Sequence, residues 1–216
     1  LNNSLLVTFK YTIGNIIIDL GLGLLLAHLF NRLTKPYGLM RALIFMPRYI
    51  AMSSCGIIFL WMLNTDYGVI NQLLEVVGVK EHINWLGDDN LALVSILMLT
   101  GWHGMGYCMM IYLSALLGIS KDYYESSSLD GATKLQQFRY ITLPTLKPIL
   151  YMVLVNLILG AFQAFDIPYA MTAGGPGTSS MVMAMYGYQQ FQYGDIALVV
   201  VHTGILGLVD FIFLGS

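Results

Sequence analysis

Two polar stripes inside long apolar segments are the places in this sequence where side chains have the means to do chemistry. Four residues of one segment share a helix face, because they recur at i, i+3, i+4 and i+7: Thr100, His103, Gly104 and Tyr107. A second segment has a stripe of small and polar residues: Asn156, Gly160, Ala161, Gln163 and Ala164. Such stripes predict the walls of a polar solute's path. Tight helix packing, in which small residues let backbones approach, is the alternative.

No catalytic pattern accompanies these stripes. The sequence has no G-x-x-x-x-G-K-[ST] phosphate loop, and its glycine-rich run at residues 174–178 lacks the lysine. It has no G-x-S-x-G nucleophile elbow, and its four histidines are too scattered for a metal site. We therefore expect no catalytic residue, no metal and no cofactor bound by this chain.

The composition predicts a membrane protein. Of the 216 residues, 57% are hydrophobic and 10% are charged, with a mean hydropathy of +0.70. A soluble domain has about 25% charged residues. The net charge of −2 argues against a nucleic-acid binder. Two cysteines offer neither a disulfide scaffold nor metal-ligand spacing.

Five apolar stretches, each about as long as a membrane helix, must position the stripes. They cover residues 13–30, 42–63, 91–117, 148–165 and 196–213. Continuous runs, rather than short alternating strands, predict an all-α integral membrane bundle of about five transmembrane helices in one domain, residues 1–216.

The basic residues predict the orientation of this bundle. Seven of the ten Lys and Arg residues follow the first and third stretches, and Arg48 lies one or two turns inside the second: Arg32, Lys35, Arg41, Arg48, Lys121, Lys134, Arg139 and Lys147. The positive-inside rule places them in the cytoplasm, with the N-terminus outside and the C-terminus inside. An external start and Leu1 in place of Met lead us to expect one further N-terminal helix, of undetermined length.

The connection at residues 119–148 is long and patterned. Residues 122–130 predict a short helix, which Gly131 ends because glycine adopts positive φ easily. Residues 133–141 predict a second, amphipathic helix with three apolar residues on one face: Leu135, Phe138 and Ile141. This pattern predicts a rigid two-helix projection on the cytoplasmic side that docks in the cleft of a partner protein. A hairpin lying on the lipid headgroups is the alternative.

The same connection contains a set of residues at fixed spacings: Glu125, Ser126, Ser127, Asp130, Gly131, Ala132, Phe138, Ile141, Leu143 and Pro144. In these residues the chain resembles the EAA loop of binding-protein-dependent ABC importer permeases, with two serines in place of two alanines. Pro47, residues 66–68 and 85–87, and the run Gly174–Gly175–Pro176 resemble the sugar-permease branch, of the maltose and glycerol-phosphate type.

The resemblance implies partners and roles. The loop would dock in the cleft of a cytoplasmic ATPase, which binds ATP and magnesium in this chain's place. Two such ATPase subunits are expected, with a second permease subunit that is not identical. The residues expected to couple ATPase closure to the membrane helices are Glu125, Ser126, Ser127, Asp130, Gly131, Ala132, Leu143 and Pro144. In the maltose-type member, the positions matching Thr100, His103, Gly104, Tyr107, Gly160, Ala161 and Ala164 face the solute.

The two outer connections, residues 66–90 and 166–195, would receive an external solute-binding protein. We expect its contact at Gly174, Gly175 and Pro176. Residues 181–191, rich in Met and Tyr, predict either an interfacial helix or part of that contact.

The sequence thus predicts a permease subunit of an ATP-driven importer in a bacterial or archaeal cytoplasmic membrane. Its solute would be a carbohydrate, either a mono- or oligosaccharide or a polyol phosphate, moved by alternating access. A permease for amino acids or peptides and a non-transporting structural subunit are the alternatives. A passive channel is disfavoured because no ring of charges or carbonyl-rich filter is present.

Overall fold

The computed structural model describes residues 1–32, 37–79 and 81–195, and residues 199–201, 204, 207, 208 and 211 of the C-terminal segment. Within these ranges the chain forms helices and no strand, which confirms the all-α prediction. The helices are α1 (Asn2–Arg32), α2 (Gly38–Phe45), α3 (Met52–Met62), α4 (Val69–Val76), α5 (Leu91–Leu117), α6 (Lys121–Leu129), α7 (Lys134–Gln137), α8 (Leu143–Phe162), α9 (Asp166–Thr172) and α10 (Met183–Gln192).

Three helical runs in the described residues are long and apolar enough to cross a membrane: Asn2–Asn31, Leu91–Leu117 and Lys134–Phe162. They correspond to the first, third and fourth predicted stretches, although the first and fourth begin earlier than predicted. The fifth predicted stretch, residues 196–213, lies largely outside the described residues.

The second predicted stretch, residues 42–63, is not one continuous helix. A short 3₁₀ helix at Met46–Tyr49 follows α2, and α3 begins only at Met52. Ala51, between them, has extended backbone angles of φ −57° and ψ 135°. Pro47 lacks the N–H that would continue an α-helical ladder. The two helical pieces qualify as a membrane span only when they are taken together.

The chain divides into two compact units. Each of the helices α1, α5 and α8 is split, with one part in the first unit and the other part in the second. The first unit comprises Leu1–Asn15, Ile50–Trp102 and Leu157–Ser216. Its apolar core is built by α1, α3, α5, α9, the end of α8 and the residues around the start of α10. Gly56 of α3 permits close packing on α9, because a Cβ atom there would lie 2.6 Å from the Cβ atom of Ala170.

Residues 166–195, predicted as an outer connection, fold into this core. Met181, Val182, Met183 and Met185 are all buried. Residues 183–192 form a helix whose methionine face packs inside the unit, while Phe191 is 66% exposed; its placement at the membrane interface stays a prediction. Methionine suits the buried face because its flexible thioether fills irregular gaps.

A buried asparagine organises the other outer segment of the first unit. The Asn71 side chain donates to the carbonyl oxygens of Thr65 (3.1 Å) and Ile83 (2.9 Å). Its Oδ1 accepts from the indole N–H of Trp85 at 2.9 Å. These bonds fasten α4 to the chain on both sides of it.

The second unit comprises Ile16–Tyr49 and His103–Asn156. Its part of α1 lies against its part of α5 at two glycines. A Cβ atom on Gly23 would lie 2.6 Å from the Cβ atom of Cys108, and one on Gly104 would lie 2.5 Å from Oδ2 of Asp19. This unit also contains the predicted coupling loop.

Candidate functional site

The turn after α6 has the geometry that the sequence predicts. Gly131 has φ +79°, and α6 spans Lys121–Leu129, close to the predicted 122–130. The amide of Gly131 donates to the carbonyl of Ser128 at 3.1 Å, and that of Ala132 donates to the carbonyl of Ser127 at 2.9 Å. This pair of bonds is a Schellman motif, in which a left-handed residue closes the helix end.

Each short helix of the loop also has a side-chain cap at its start. The Ser120 hydroxyl accepts from the amide of Asp122 at 3.3 Å. Thr133 and Gln136 form a reciprocal capping box, with the Thr133 amide donating to Gln136 Oε1 at 2.7 Å. Such caps satisfy amide groups that a helix start leaves without partners. The turn at residues 130–133 is therefore determined from both sides.

Gln137 joins the two short helices. Its Nε2 atom lies within hydrogen-bond distance of three oxygens on α6: the Tyr124 carbonyl (3.0 Å), Ser127 Oγ (3.0 Å) and Ser128 Oγ (2.8 Å). The side chain is only 4% exposed. A second link joins the Tyr124 hydroxyl to Oγ1 of buried Thr142 at 2.8 Å. Residues 121–142 thus form a polar-clasped unit, here called the coupling hairpin.

The sequence did not single out Tyr124, Gln137 or Thr142. One signal for Gln137 is available in hindsight. It precedes Ile141 by four residues, so a glutamine shares a helix face with an apolar residue. A buried amide must find partners, and the serines of α6 supply them.

The second predicted helix of the loop differs from the structure. Residues 133–141 do not form a separate amphipathic helix. After α7 a π-helical turn at Phe138–Thr142 runs directly into α8. Leu135, predicted on the apolar face, is 75% exposed, while Phe138 and Ile141 are half-buried. Pro144 lies directly after the π-helical turn, as the second residue of α8, and the helical run continues through it.

The predicted coupling residues differ in exposure. Glu125, Ser126, Asp130, Gly131, Leu143 and Pro144 are exposed, whereas Ser127 and Ala132 are half-buried. Ser126 and Ser127 each donate a hydroxyl hydrogen bond to the backbone one turn earlier. The serines therefore satisfy their polar groups locally and take the place of alanine without disturbing the helix. The docking role of these residues stays a prediction.

The stripe on α5 is divided between the two units. In the first, the Thr100 hydroxyl donates to the carbonyl of Ile96 at 2.8 Å and lies 3.2 Å from the Tyr11 hydroxyl. In the second, His103 is 4% exposed and Gly104 packs on Asp19. The guanidinium of exposed Arg48 lies 5.0 Å from the centre of the Tyr107 ring, in cation–π geometry.

The second stripe, on α8 and in the two residues that follow it, contains two kinds of residue. Asn156, in the second unit, and Gly160 and Gln163, in the first, are exposed. Ala161 is 2% exposed and belongs to the core of the first unit, and Ala164 packs against that core. Both alanines thus contribute to the packing of this core. The assignment of either stripe to a solute path stays a prediction.

The glycine run after α9 is a tightly bonded turn. Ala173, Gly174 and Gly177 all have positive φ. The Ser180 hydroxyl donates to the carbonyl of Gly175 at 2.6 Å. Gly174 has φ +91°, a backbone conformation that favours glycine. Gly174 is buried, whereas Gly175 and Pro176 are half-buried. Their contact with a binding protein stays a prediction.

Residues 19–215 match the family described as "Binding-protein-dependent transport system inner membrane component". The chain belongs to this family. The apolar helices described above agree with that membership, and the chain is a multi-pass membrane protein of a transport system.

Several relatives of this permease component are named for transport. This chain is 37% identical to the "Sulfoquinovosyl glycerol transport system permease protein SmoG" of Agrobacterium fabrum, over 87% of this chain and 59% of that protein. It is 34% identical to the "Probable ABC transporter permease protein YurN" of Bacillus subtilis, over 83% of this chain and 62% of that protein. It is 30% identical to the "Trehalose/maltose transport system permease protein MalF" of Thermococcus litoralis, over 90% of this chain and 66% of that protein. The chain thus spans roughly three fifths of the length of these curated relatives.

The fold also matches solved structures. A crystal structure of a bacterial ABC transporter that imports the acidic polysaccharide alginate superposes with a TM-score of 0.82, at 22% identity, over 98% of this chain and 78% of that chain. A bacterial alginate ABC transporter in complex with a periplasmic protein bound to alginate pentasaccharide gives a TM-score of 0.85, at 20% identity, over 98% of this chain and 76% of that chain. At this identity the likeness concerns the fold.

Proposed function

We propose that this chain is the membrane-spanning permease subunit of an ATP-driven importer, that it lies in a cytoplasmic membrane, and that it translocates a carbohydrate by alternating access. The observation that carries the proposal is the family match over residues 19–215. The coupling hairpin lies within that match and presents an exposed carboxylate, Glu125, on α6.

A carbohydrate is the solute class that the relatives favour. Their names include a sulfoquinovosyl glycerol permease, a trehalose/maltose permease and a lactose permease, the last 33% identical to this chain. An amide such as Gln163 and a phenol such as Tyr107 fit that class, because they exchange hydrogen bonds with hydroxyl groups. Which sugar is carried is a matter for experiment.

The energy for import would come from partners. The sequence has no phosphate loop of its own, so two ATPase subunits would bind ATP on the cytoplasmic side. A second permease subunit would complete the pathway. An external solute-binding protein would deliver the sugar, as the periplasmic protein in the alginate transporter complex carries its pentasaccharide.

The geometry of the coupling hairpin supports a mechanical role. Gln137 and Thr142 clasp α6 to the segment that runs without a break into α8. A displacement applied to α6 by a closing ATPase would therefore be passed to α8 rather than absorbed in a flexible joint. That helix contains Asn156 and Gly160, both exposed, so movement of the hairpin would reposition the predicted pathway.

The proposal is tested by purifying the full-length protein from its native membrane in mild detergent and identifying what accompanies it. We expect an ATPase, a second permease and a solute-binding protein, and the last can be screened against a sugar panel. The complex is then reconstituted into vesicles with the sugar that binds best. Uptake that requires ATP supports the importer. Uptake without ATP would favour a channel, and isolation without an ATPase would favour a structural subunit.

A further inference from the structure

Two adjoining cavities that differ in chemical character lie in the second unit, where α1 meets the coupling hairpin. The larger, of about 490 Å³, is an apolar groove whose walls include Gly21, Leu24, Leu25 and Leu135. The smaller, of about 180 Å³, is a polar pocket whose walls include Asn31, Tyr124, Gln137 and Thr142. Three residues line both cavities: His28, Lys134 and Phe138.

The walls of the groove leave room for an extended apolar group. A Cβ atom on Gly21 would meet nothing within 4 Å, so there is open space beside the helix at this residue. Leu25 and Leu135 are 63% and 75% exposed, and both present apolar surface to the groove. The Phe138 ring stands edge-on to the His28 ring, with centroids 5.5 Å apart. This ring pair separates the apolar groove from the polar pocket.

The ammonium group of Lys134, which lines both cavities, favours an occupant whose polar end is negatively charged. Lys134 is exposed and is the first residue of α7, where the Thr133–Gln136 capping box holds its backbone in place. The described residues lining the two cavities include this one ammonium group and no carboxylate. The pocket beside it adds the exposed side-chain amide of Asn31, which can donate a hydrogen bond to a phosphate oxygen.

We propose that these cavities form a binding site for an anionic phospholipid of the cytoplasmic leaflet. One acyl chain lies along Gly21, Leu24 and Leu25, and the headgroup phosphate lies between Lys134 and the polar pocket. The positive-inside rule predicts that this end of α1 faces the cytoplasm, where anionic lipids concentrate and attract basic residues. A free anion would leave the apolar groove unfilled, and a zwitterionic lipid would gain less from Lys134.

The test uses the full-length protein with its co-purifying subunits, in nanodiscs that contain equal amounts of phosphatidylglycerol and phosphatidylcholine. After transfer to detergent, native mass spectrometry counts the lipids that stay bound. We expect phosphatidylglycerol to be retained in preference. Lys134→Gln should lower its retention about fivefold, the effect of one basic residue at a membrane surface. Lys147→Gln is the matched control, because Lys147 is also exposed but stacks on Tyr151, away from the cavities.

Gly21→Leu supplies an independent test of the groove. Because its side chain would enter open space, the variant should fold normally and lower retention of both lipids. Equal retention of the two lipids by the unaltered protein would overturn the proposal, as would an unchanged phosphatidylglycerol count in both variants. Cysteine cross-linking of Leu25→Cys to another subunit would also overturn it, because a protein segment would then occupy the groove. Sugar uptake is measured separately, so these results are independent of the proposed transport function.

Discussion

At the scale of single residues, Gly131 is the position where backbone geometry bears most directly on the proposed function. Its φ of +79° lies in the left-handed region, which costs a β-branched residue about 1–3 kcal/mol. We expect Gly131→Val to reach the membrane folded, because a Cβ atom there meets nothing within 4 Å. The turn between α6 and α7 would open, and sugar uptake would fall by about tenfold, which a change of about 1.4 kcal/mol produces, while ATP hydrolysis continues.

The chain offers a matched control for this substitution. Gly194 also has φ +79° and open surroundings, but it follows α10, far along the chain from the coupling hairpin. Gly194→Val should therefore carry the same local strain and leave uptake per ATP unchanged. Uptake and hydrolysis are measured together in vesicles. Normal uptake by Gly131→Val would remove the basis for a coupling role.

A second residue prediction separates a solute path from helix packing. Gln163 is exposed just after the end of α8, so Gln163→Leu should remove one hydrogen bond to a sugar hydroxyl. We expect the half-saturating sugar concentration to rise about two- to tenfold. Ser114→Ala on α5 is the control, because its exposed hydroxyl already bonds the carbonyl of Met110. Unchanged half-saturation in Gln163→Leu would favour packing. His103→Leu is less informative, since His103 is buried.

At the scale of elements, the clasp between α6 and α7 determines how firmly the coupling hairpin is held. Gln137→Leu keeps the side-chain size but leaves the Tyr124 carbonyl without this amide donor, a change that costs about 1–3 kcal/mol in a buried site. We expect the amides of α6 to exchange with deuterium at least about fivefold faster.

Gln72→Leu is the corresponding control, since Gln72 is exposed on α4 and its side-chain amide donates to the Tyr67 carbonyl at 3.2 Å, within its own segment of the chain. Its exchange in α6 should match that of the unaltered protein. Exchange is measured on the purified full-length complex. If α6 exchanges at the same rate in Gln137→Leu, the helix is held by other contacts and Gln137 is not its clasp.

The elements differ in how far sequence predicts them. The span at residues 91–117 agrees with α5, because a long apolar run between polar segments leaves the backbone no other way to satisfy its hydrogen bonds. The glycine turn at residue 131 was also predictable, since few residues tolerate positive φ. The break at residues 50–51 was not, because apolarity persists across it. The burial of Met181, Met183 and Met185 could not be predicted from the sequence either, because it depends on packing against distant parts of the chain.

In the candidate site, too, some features follow from local sequence and others depend on contacts between distant residues. The exposure of Glu125 and the turn at Gly131 follow from local sequence. The bonds of Gln137 to Ser127 and Ser128 join residues about ten positions apart and become visible only when the hairpin is folded. Ala161 has the small size expected in a stripe, yet it packs in a core, because small size alone does not distinguish a path from a close contact.

At the scale of the whole molecule, the orientation in the membrane is open to a direct test. The two native cysteines, Cys55 and Cys108, are buried, so they should react slowly and need not be replaced. Leu129, beside the Gly131 turn, is 89% exposed, and Val77, after α4, is 82% exposed. The distribution of Lys and Arg predicts that residue 129 lies in the cytoplasm and residue 77 outside.

Leu129→Cys and Val77→Cys therefore form a matched pair for labelling with a membrane-impermeant maleimide. In intact cells whose outer barrier, if any, has been opened, only the cysteine at position 77 should be labelled, and in inside-out vesicles only the one at position 129. Reversed labelling would place the coupling hairpin outside, where no ATP-driven partner can reach it. That result would contradict both the orientation and the proposed import mechanism, because Glu125 and Gly131 can couple hydrolysis to transport only from the side that holds the ATP.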